Sequence, residues 1–149
     1  MTLVVDATVV VAACLAAGDG FAFFSDEALL APDLMWWEAG STLHEYLWRL
    51  EARRPTPDMP TLQRGDVLTG LDRLRRAPVE RAAATEDLLD EAWRVANRCG
   101  FARLYDAAYV ALAIQRGARL VTLDGRLRTG PASRLAAIVG PTELGPGSP

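Results

Sequence analysis

Twice in this chain a short apolar run ends on an aspartate: Leu3-Val4-Val5-Asp6 near the start and Leu120-Val121-Thr122-Leu123-Asp124 near the end. Continuous apolar runs rich in β-branched residues, bounded by turn signals, suit strands buried on both faces of a parallel sheet. Helical patterns lie between and behind them, and strands alternating with helices build an α/β layered fold with a mostly parallel sheet. In such sheets ligands bind outside the carboxyl ends of the strands. Both aspartates therefore fall where chemistry is normally done. A plainer role stays open for Asp6, because an aspartate between strand and helix also serves as an N-cap, accepting a backbone N–H near Thr8 or Val9.

The remaining elements follow from periodicity and punctuation. Thr8 to Ala17 reads as an apolar helix stopped by Gly18-Asp19-Gly20, and a short strand is expected near Ala28-Leu29-Leu30. Ala31-Pro32-Asp33 opens the clearest helix, with proline at a first helical position and Asp33 complementing the dipole. Its apolar stripe is Trp36, Gly40, Leu43, Leu47 and Leu50, with Glu38, Ser41, Thr42 and Glu45 on another face. After a connector holding Pro55, Pro57 and Pro60, a helix spans Thr61 to Leu74, with Thr61 as its N-cap. Val79 to Ala83 is a short strand. Thr85 caps a helix from Glu86 to Cys99 that Gly100 closes, and Leu104, Ala108, Leu112 and Gln115 set the spacing of another that Gly117 ends. Ala136 to Val139 is the last candidate strand.

Composition narrows the chemistry. The 149 residues carry a net formal charge of −3, but eight Arg against sixteen Asp and Glu in residues 1–93 give way to eight Arg against Asp106, Asp124 and Glu143 in residues 94–149. Such asymmetry between halves hints at an anionic partner. Every basic residue is arginine. Aspartyl-phosphate phosphatases and phospho-accepting receiver domains, the rivals for an aspartate at a strand end, both use a lysine and are excluded. No apolar run approaches the ~18–20 residues that span a bilayer, and no charged and apolar leader is present. A cytoplasmic protein with reduced Cys14 and Cys99 is expected.

Should Asp6, Glu38, Asp106 and Asp124 converge, they cannot all stay ionised unaided. Two unit charges about 4 Å apart repel by about 4 kcal/mol at an effective dielectric near 20. Protonation or a cation must relieve them. Carboxylate oxygens select hard cations such as Mg²⁺ or Mn²⁺. His44 is alone, and neither cysteine has a neighbour at ligand spacing, so zinc is excluded.

Four segments then make a specific resemblance: Leu3 to Thr8; Ala31-Pro32-Asp33-Leu34 leading to Glu38; Leu104-Tyr105-Asp106-Ala107-Ala108-Tyr109; and Leu120 to Asp124. Together they resemble the PIN-domain ribonucleases, and within them the VapC-type toxins of bacterial toxin–antitoxin pairs. The likeness runs from roughly Thr2 to Val139, giving a domain over 1–140 and a flexible tail over 141–149. It implies a three-layer α/β/α sandwich with a five-stranded, mostly parallel sheet. It further implies a Mg²⁺- or Mn²⁺-dependent endoribonuclease acting on structured RNA such as transfer or ribosomal RNA. A homodimer and a VapB-type antitoxin, its tail in a groove at the site, complete the picture.

By that resemblance Asp6, Glu38, Asp106 and Asp124 are the catalytic metal ligands, with Thr8, Ser41 and Thr122 supporting them. Many relatives carry asparagine where this chain has Ser41, whose hydroxyl reaches less far and lacks the separate donor and acceptor atoms of an amide. Arg103, Arg126 and Arg128 are candidates for RNA phosphates, and Trp36, Trp37 and Trp48 for core or interface. The alternative function is a PIN domain that only binds RNA or a protein.

Overall fold

The computed structural model describes residues 1–54, 56–57 and 59–144. Five strands, β1 (Thr2–Val5), β2 (Ala28–Pro32), β3 (Val79–Ala82), β4 (Arg119–Val121) and β5 (Ile138–Val139), form one sheet in the order β3-β2-β1-β4-β5. All four pairings are parallel. Six α-helices accompany them: α1 (Ala7–Leu15), α2 (Leu34–Glu51), α3 (Arg64–Arg75), α4 (Glu86–Cys99), α5 (Leu104–Arg116) and α6 (Gly125–Thr129). Helices α1, α2 and α3 pack on one another, while α4 and α5 pair separately, with α5 lying on β1, β2 and β4. The chain moves outward from β1 through β2 to β3 and then returns past β1 to β4. Right-handed connection of parallel strands then puts these groups on opposite faces of the sheet. The result is the three-layer α/β/α sandwich.

Burial explains the strand pattern. Leu3, Val4, Val5, Leu120 and Val121 are essentially inaccessible, as expected for central strands covered on both faces. Ala107 through Ala113 of α5 are buried without interruption, because that helix lies between the sheet and α4. Gln115, counted with its apolar spacing, is exposed. On α2 the buried line is Met35, Ala39 and Leu43 rather than the stripe through Trp36 and Gly40. Trp36 is half-buried beneath Arg81, whose guanidinium lies 3.8 Å from the ring centre. Gly100 and Gly117 close α4 and α5 in the left-handed region, at φ 70° and 57°.

Three boundaries differ from the sequence expectation. Pro32 does not begin α2. It ends β2 opposite Ala82, and α2 starts at Leu34 with Asp33 at its N-cap position. Proline tolerates a strand end as well as a first helical turn, and the pairing with β3 decides between them. Thr61 is not the cap of α3. Gln63 is, with a reciprocal contact in which the Gln63 backbone N–H donates to Asp66 at 2.7 Å. Pro141–Leu144 is not a loose tail but a 3-10 turn, tied down by the Arg128–Glu143 ion pair. Residues 145–149 of that tail lie outside the described residues.

Candidate metal centre

The sheet order places β1 between β2 and β4, so the chain's crossovers diverge on either side of the β1–β4 crevice. Ligand sites of open parallel sheets form at such a switch point. Val5 stands opposite Val121, which puts Asp6 and Thr122 side by side at the carboxyl edge. The capping reading of Asp6 holds. Its carboxylate caps α1, accepting from Val9 N at 3.2 Å, and it also accepts hydroxyl protons from Thr8 at 2.6 Å and from Thr122.

The two threonines tie the strand ends together. Thr122 Oγ1 accepts from Asp124 N at 2.9 Å, and Thr8 Oγ1 accepts from Leu123 N at 3.0 Å. Each hydroxyl thus donates to Asp6 and accepts from the β4 exit, so one aspartate's position is fixed from both strands. Asp6 is only 4% exposed, and Thr122 is fully buried. Burial pushes the Asp6 carboxyl above the ordinary aspartate range, against hydrogen bonds from Thr122, Thr8 and Val9 that pull it down.

Asp124 lives in a different setting. It caps α6 by accepting from Arg126 N at 2.8 Å, and the Arg126 guanidinium grips it at 2.7 and 3.2 Å. Those hydrogen bonds hold Asp124 below the usual aspartate value. Asp106, in the first turn of α5, is raised by burial and then by the Asp124 charge, with Arg126 acting against both. Glu38, in the second turn of α2, is raised by burial, and the charges of Asp106 and Asp6 add to that. Its carboxylate accepts a hydrogen bond from the Tyr109 hydroxyl.

The four acids are therefore joined through pairwise repulsion: Asp6 with Glu38, Glu38 with Asp106, and Asp106 with Asp124. They form a chain of neighbouring charges rather than a finished cage. Among the described residues, no three His, Cys, Asp or Glu side chains stand close enough to ligate one ion as arranged. The donor chemistry nevertheless fits a hard dication, since carboxylate oxygens with hydroxyls beside them are what Mg²⁺ or Mn²⁺ takes.

The other sequence candidates divide. Thr8 and Thr122 join the network directly. Ser41 is exposed and, among the described residues, makes no hydrogen bond to Glu38, although it lines the same cavity. Arg126 lies at the site, Arg103 is exposed at the N-cap position of α5, and Arg128 is turned to Glu143. His44 is exposed. Both cysteines are free, and burial pushes the Cys14 thiol up to about 11. Tyr109 is the site residue that sequence reasoning passed over. The available signal was its spacing, three residues after Asp106 on one helix face.

A three-layer α/β/α fold with carboxylates at the switch point of a parallel sheet belongs to the class of open-sheet proteins that hold their ligands at that crevice. The sequence matches the PIN domain family profile over residues 3–131, and the chain belongs to that family, whose members are generally nucleases. Among curated proteins no sequence match is found. Several solved structures share the fold. PAE2754 from Pyrobaculum aerophilum is 23% identical with a TM-score of 0.64, covering 97% of this chain and 95% of that one. A chain of VapBC2 from Rickettsia felis, bound to a DNA fragment from its promoter, is 11% identical with a TM-score of 0.57, covering 94% and 98%. A chain of a toxin–antitoxin complex from Klebsiella pneumoniae is 12% identical with a TM-score of 0.53, covering 93% and 97%. Among the described residues no helix is long and apolar enough to cross a membrane.

Proposed function

We propose that this chain is a divalent-metal-dependent endoribonuclease and the toxin of a VapBC-like toxin–antitoxin pair, acting on structured RNA in the cytoplasm. The observation that supports it most is the Thr122 bridge, which fastens Asp6 to the Asp124 strand end while Glu38 and Asp106 stand within charge reach. The solved toxin–antitoxin complexes that share the fold support an antitoxin partner, here of the VapB type, and a homodimeric toxin is part of the same proposal.

Asp6, Glu38, Asp106 and Asp124 are the residues to hold Mg²⁺ or Mn²⁺. When bound, such an ion favours the hydroxide form of water and offsets charge building on the phosphodiester oxygens. The protein's own share is positioning. Thr8 and Thr122 spend their hydroxyl protons on Asp6, so its orientation is set before any ligand arrives. The Tyr109 hydroxyl does the same for Glu38. Arg126, with its side chain 85% exposed, is the cation a phosphate meets first, and a phosphate that draws it away frees Asp124.

Replacing Asp106 by Asn tests the assignment. RNA cleavage falls by roughly a hundredfold or more, beyond the roughly 10–100-fold typical of groups that only support a ligand, while the circular dichroism spectrum is unchanged. Wild-type cleavage by Asp106→Asn refutes the proposal. Mapping RNA ends after brief induction identifies the target. A second reading, a PIN domain that binds without cleaving, is favoured by the grip of Arg126 on Asp124. Mn²⁺ calorimetry separates the two, since equal affinity of wild type and Asp106→Asn supports the binding-only reading.

A further inference from the structure

Two aromatic side chains at the site belong to no core. Trp37 is 80% exposed and Tyr105 is 56% exposed, and each immediately precedes one of the acids, Glu38 and Asp106. They come from helices on opposite faces of the sheet, yet line one open cavity of about 460 Å³ together with Leu34, Glu38, Ser41 and Thr42. Large aromatic surface left in water beside a hollow that also holds the Glu38 carboxylate and the Ser41 and Thr42 hydroxyls has no packing purpose in the monomer. Flat rings next to a phosphodiester site suit the faces of unpaired bases, because every base offers a π-face whatever its identity. Tyr105 also borders an adjoining groove lined by Leu34, Leu88, Leu89, Ala92 and Leu104, which is almost wholly apolar and offers a phosphate or base edge no comparable polar groups.

Resting on the nuclease reading above, we propose that Trp37 and Tyr105 form a stacking platform that holds an unpaired nucleobase beside the scissile phosphate. The substrate segment is then single-stranded, a loop or bulge within a folded RNA, since bases paired in an A-form duplex cannot present their faces. Both residues are positioning residues. The rings act on substrate affinity and register, and the carboxylates act on the bond.

The experiment measures anisotropy of a short fluorescein-labelled single-stranded RNA in EDTA, where cleavage cannot interfere, and of the same sequence in a duplex. Wild type binds the single strand more tightly than the duplex. Trp37→Ala and Tyr105→Ala each raise Kd for the single strand about tenfold, equivalent to about 1.4 kcal/mol and within the range of one stacked base. Trp37→Phe, which keeps a ring, recovers most of the affinity. With Mg²⁺ added, Trp37→Ala raises KM and leaves kcat close to wild type, a split that general loss of structure does not give. Wild-type Kd in both alanine variants overturns the platform, as does a Trp37→Ala protein that binds RNA normally but turns a dimer into a monomer. A wild type that cleaves RNA while the alanine variants match it removes the platform alone. A wild type that neither binds nor cleaves RNA removes the nuclease reading with it.

Discussion

Asp6 and Asp124 follow adjacent parallel strands with similar sequences, and each caps the helix behind it. Their surroundings drive them apart. Asp6 is sealed in, satisfied by two neutral hydroxyls and a backbone N–H, and burial lifts its affinity for a proton. Asp124 is partly open and paired with a guanidinium, which lowers that affinity. The difference lies in the neighbours. A threonine two residues on from Asp6 and another at the end of β4 supply protons without charge, whereas Arg126 supplies charge. One strand end is thus a rigid anchor short of positive charge, and the other a guarded carboxylate already neutralised.

Substituting each in turn breaks or sharpens this contrast. The largest effect is on catalysis, where Asp6→Asn and Asp124→Asn both lower RNA cleavage by roughly a hundredfold or more, measured on labelled RNA with Mg²⁺. Thr122→Val comes next, because it strips a donor from buried Asp6 and an acceptor from Asp124 N. The lost partners cost about 1–3 kcal/mol in urea denaturation. Thr8→Val, at a more open position, costs less in the same assay.

The pH dependence carries opposite signs at the two ends. Asp6 holds its proton more tightly when folded, so its contribution to stability is full below the unfolded value of about 4 and is lost as pH rises through the folded value. Metal-free Asp6→Asn is therefore more stable than wild type at neutral pH, and the difference disappears as pH falls to about 4. Asp124 contributes stability above about pH 4 and loses it as pH falls through its lowered folded value. Asp124→Ala is accordingly less stable at neutral pH, with loss of the cap costing about 1 kcal/mol. Metal binding follows the same logic. Ions that need Asp6, Glu38 and Asp106 ionised displace protons from them, so apparent Mg²⁺ affinity falls as pH is lowered, and calorimetry in buffers of different ionisation heat detects the release. Arg126→Ala has the smallest effect on stability, leaving the melting temperature near wild type, because the pair is exposed. It raises the Asp124 pKa, which NMR titration of the carboxyl carbon reads directly.

Much of the fold is legible in the sequence, because its signals are strong and local. The apolar runs of β1 and β4, the Thr85 cap and the glycines closing α4 and α5 lie where their chemistry requires. Pro32 was harder, since the same residue suits a strand end or a helix start and only the β3 partner decides. Thr61 lost to Gln63 because a reciprocal cap depends on Asp66 folding back, which no single residue announces. The acids could be named from their motif, but their electrostatic differences could not. Those arise from Thr122, Arg126 and Tyr109, contacts fixed by the meeting of strands and helices.

The phenol of Tyr109 reaches from the layer of α4 and α5 to Glu38 in the layer of α1 to α3, around the edge of the sheet. Glu38 is in this way geared to a helix on the far side. A small rotation of α5 against β1 moves Asp106 and the hydroxyl that steadies Glu38 in one stroke. Alterations remote from the crevice, where α5 meets α4, therefore retune two acids together and never one alone.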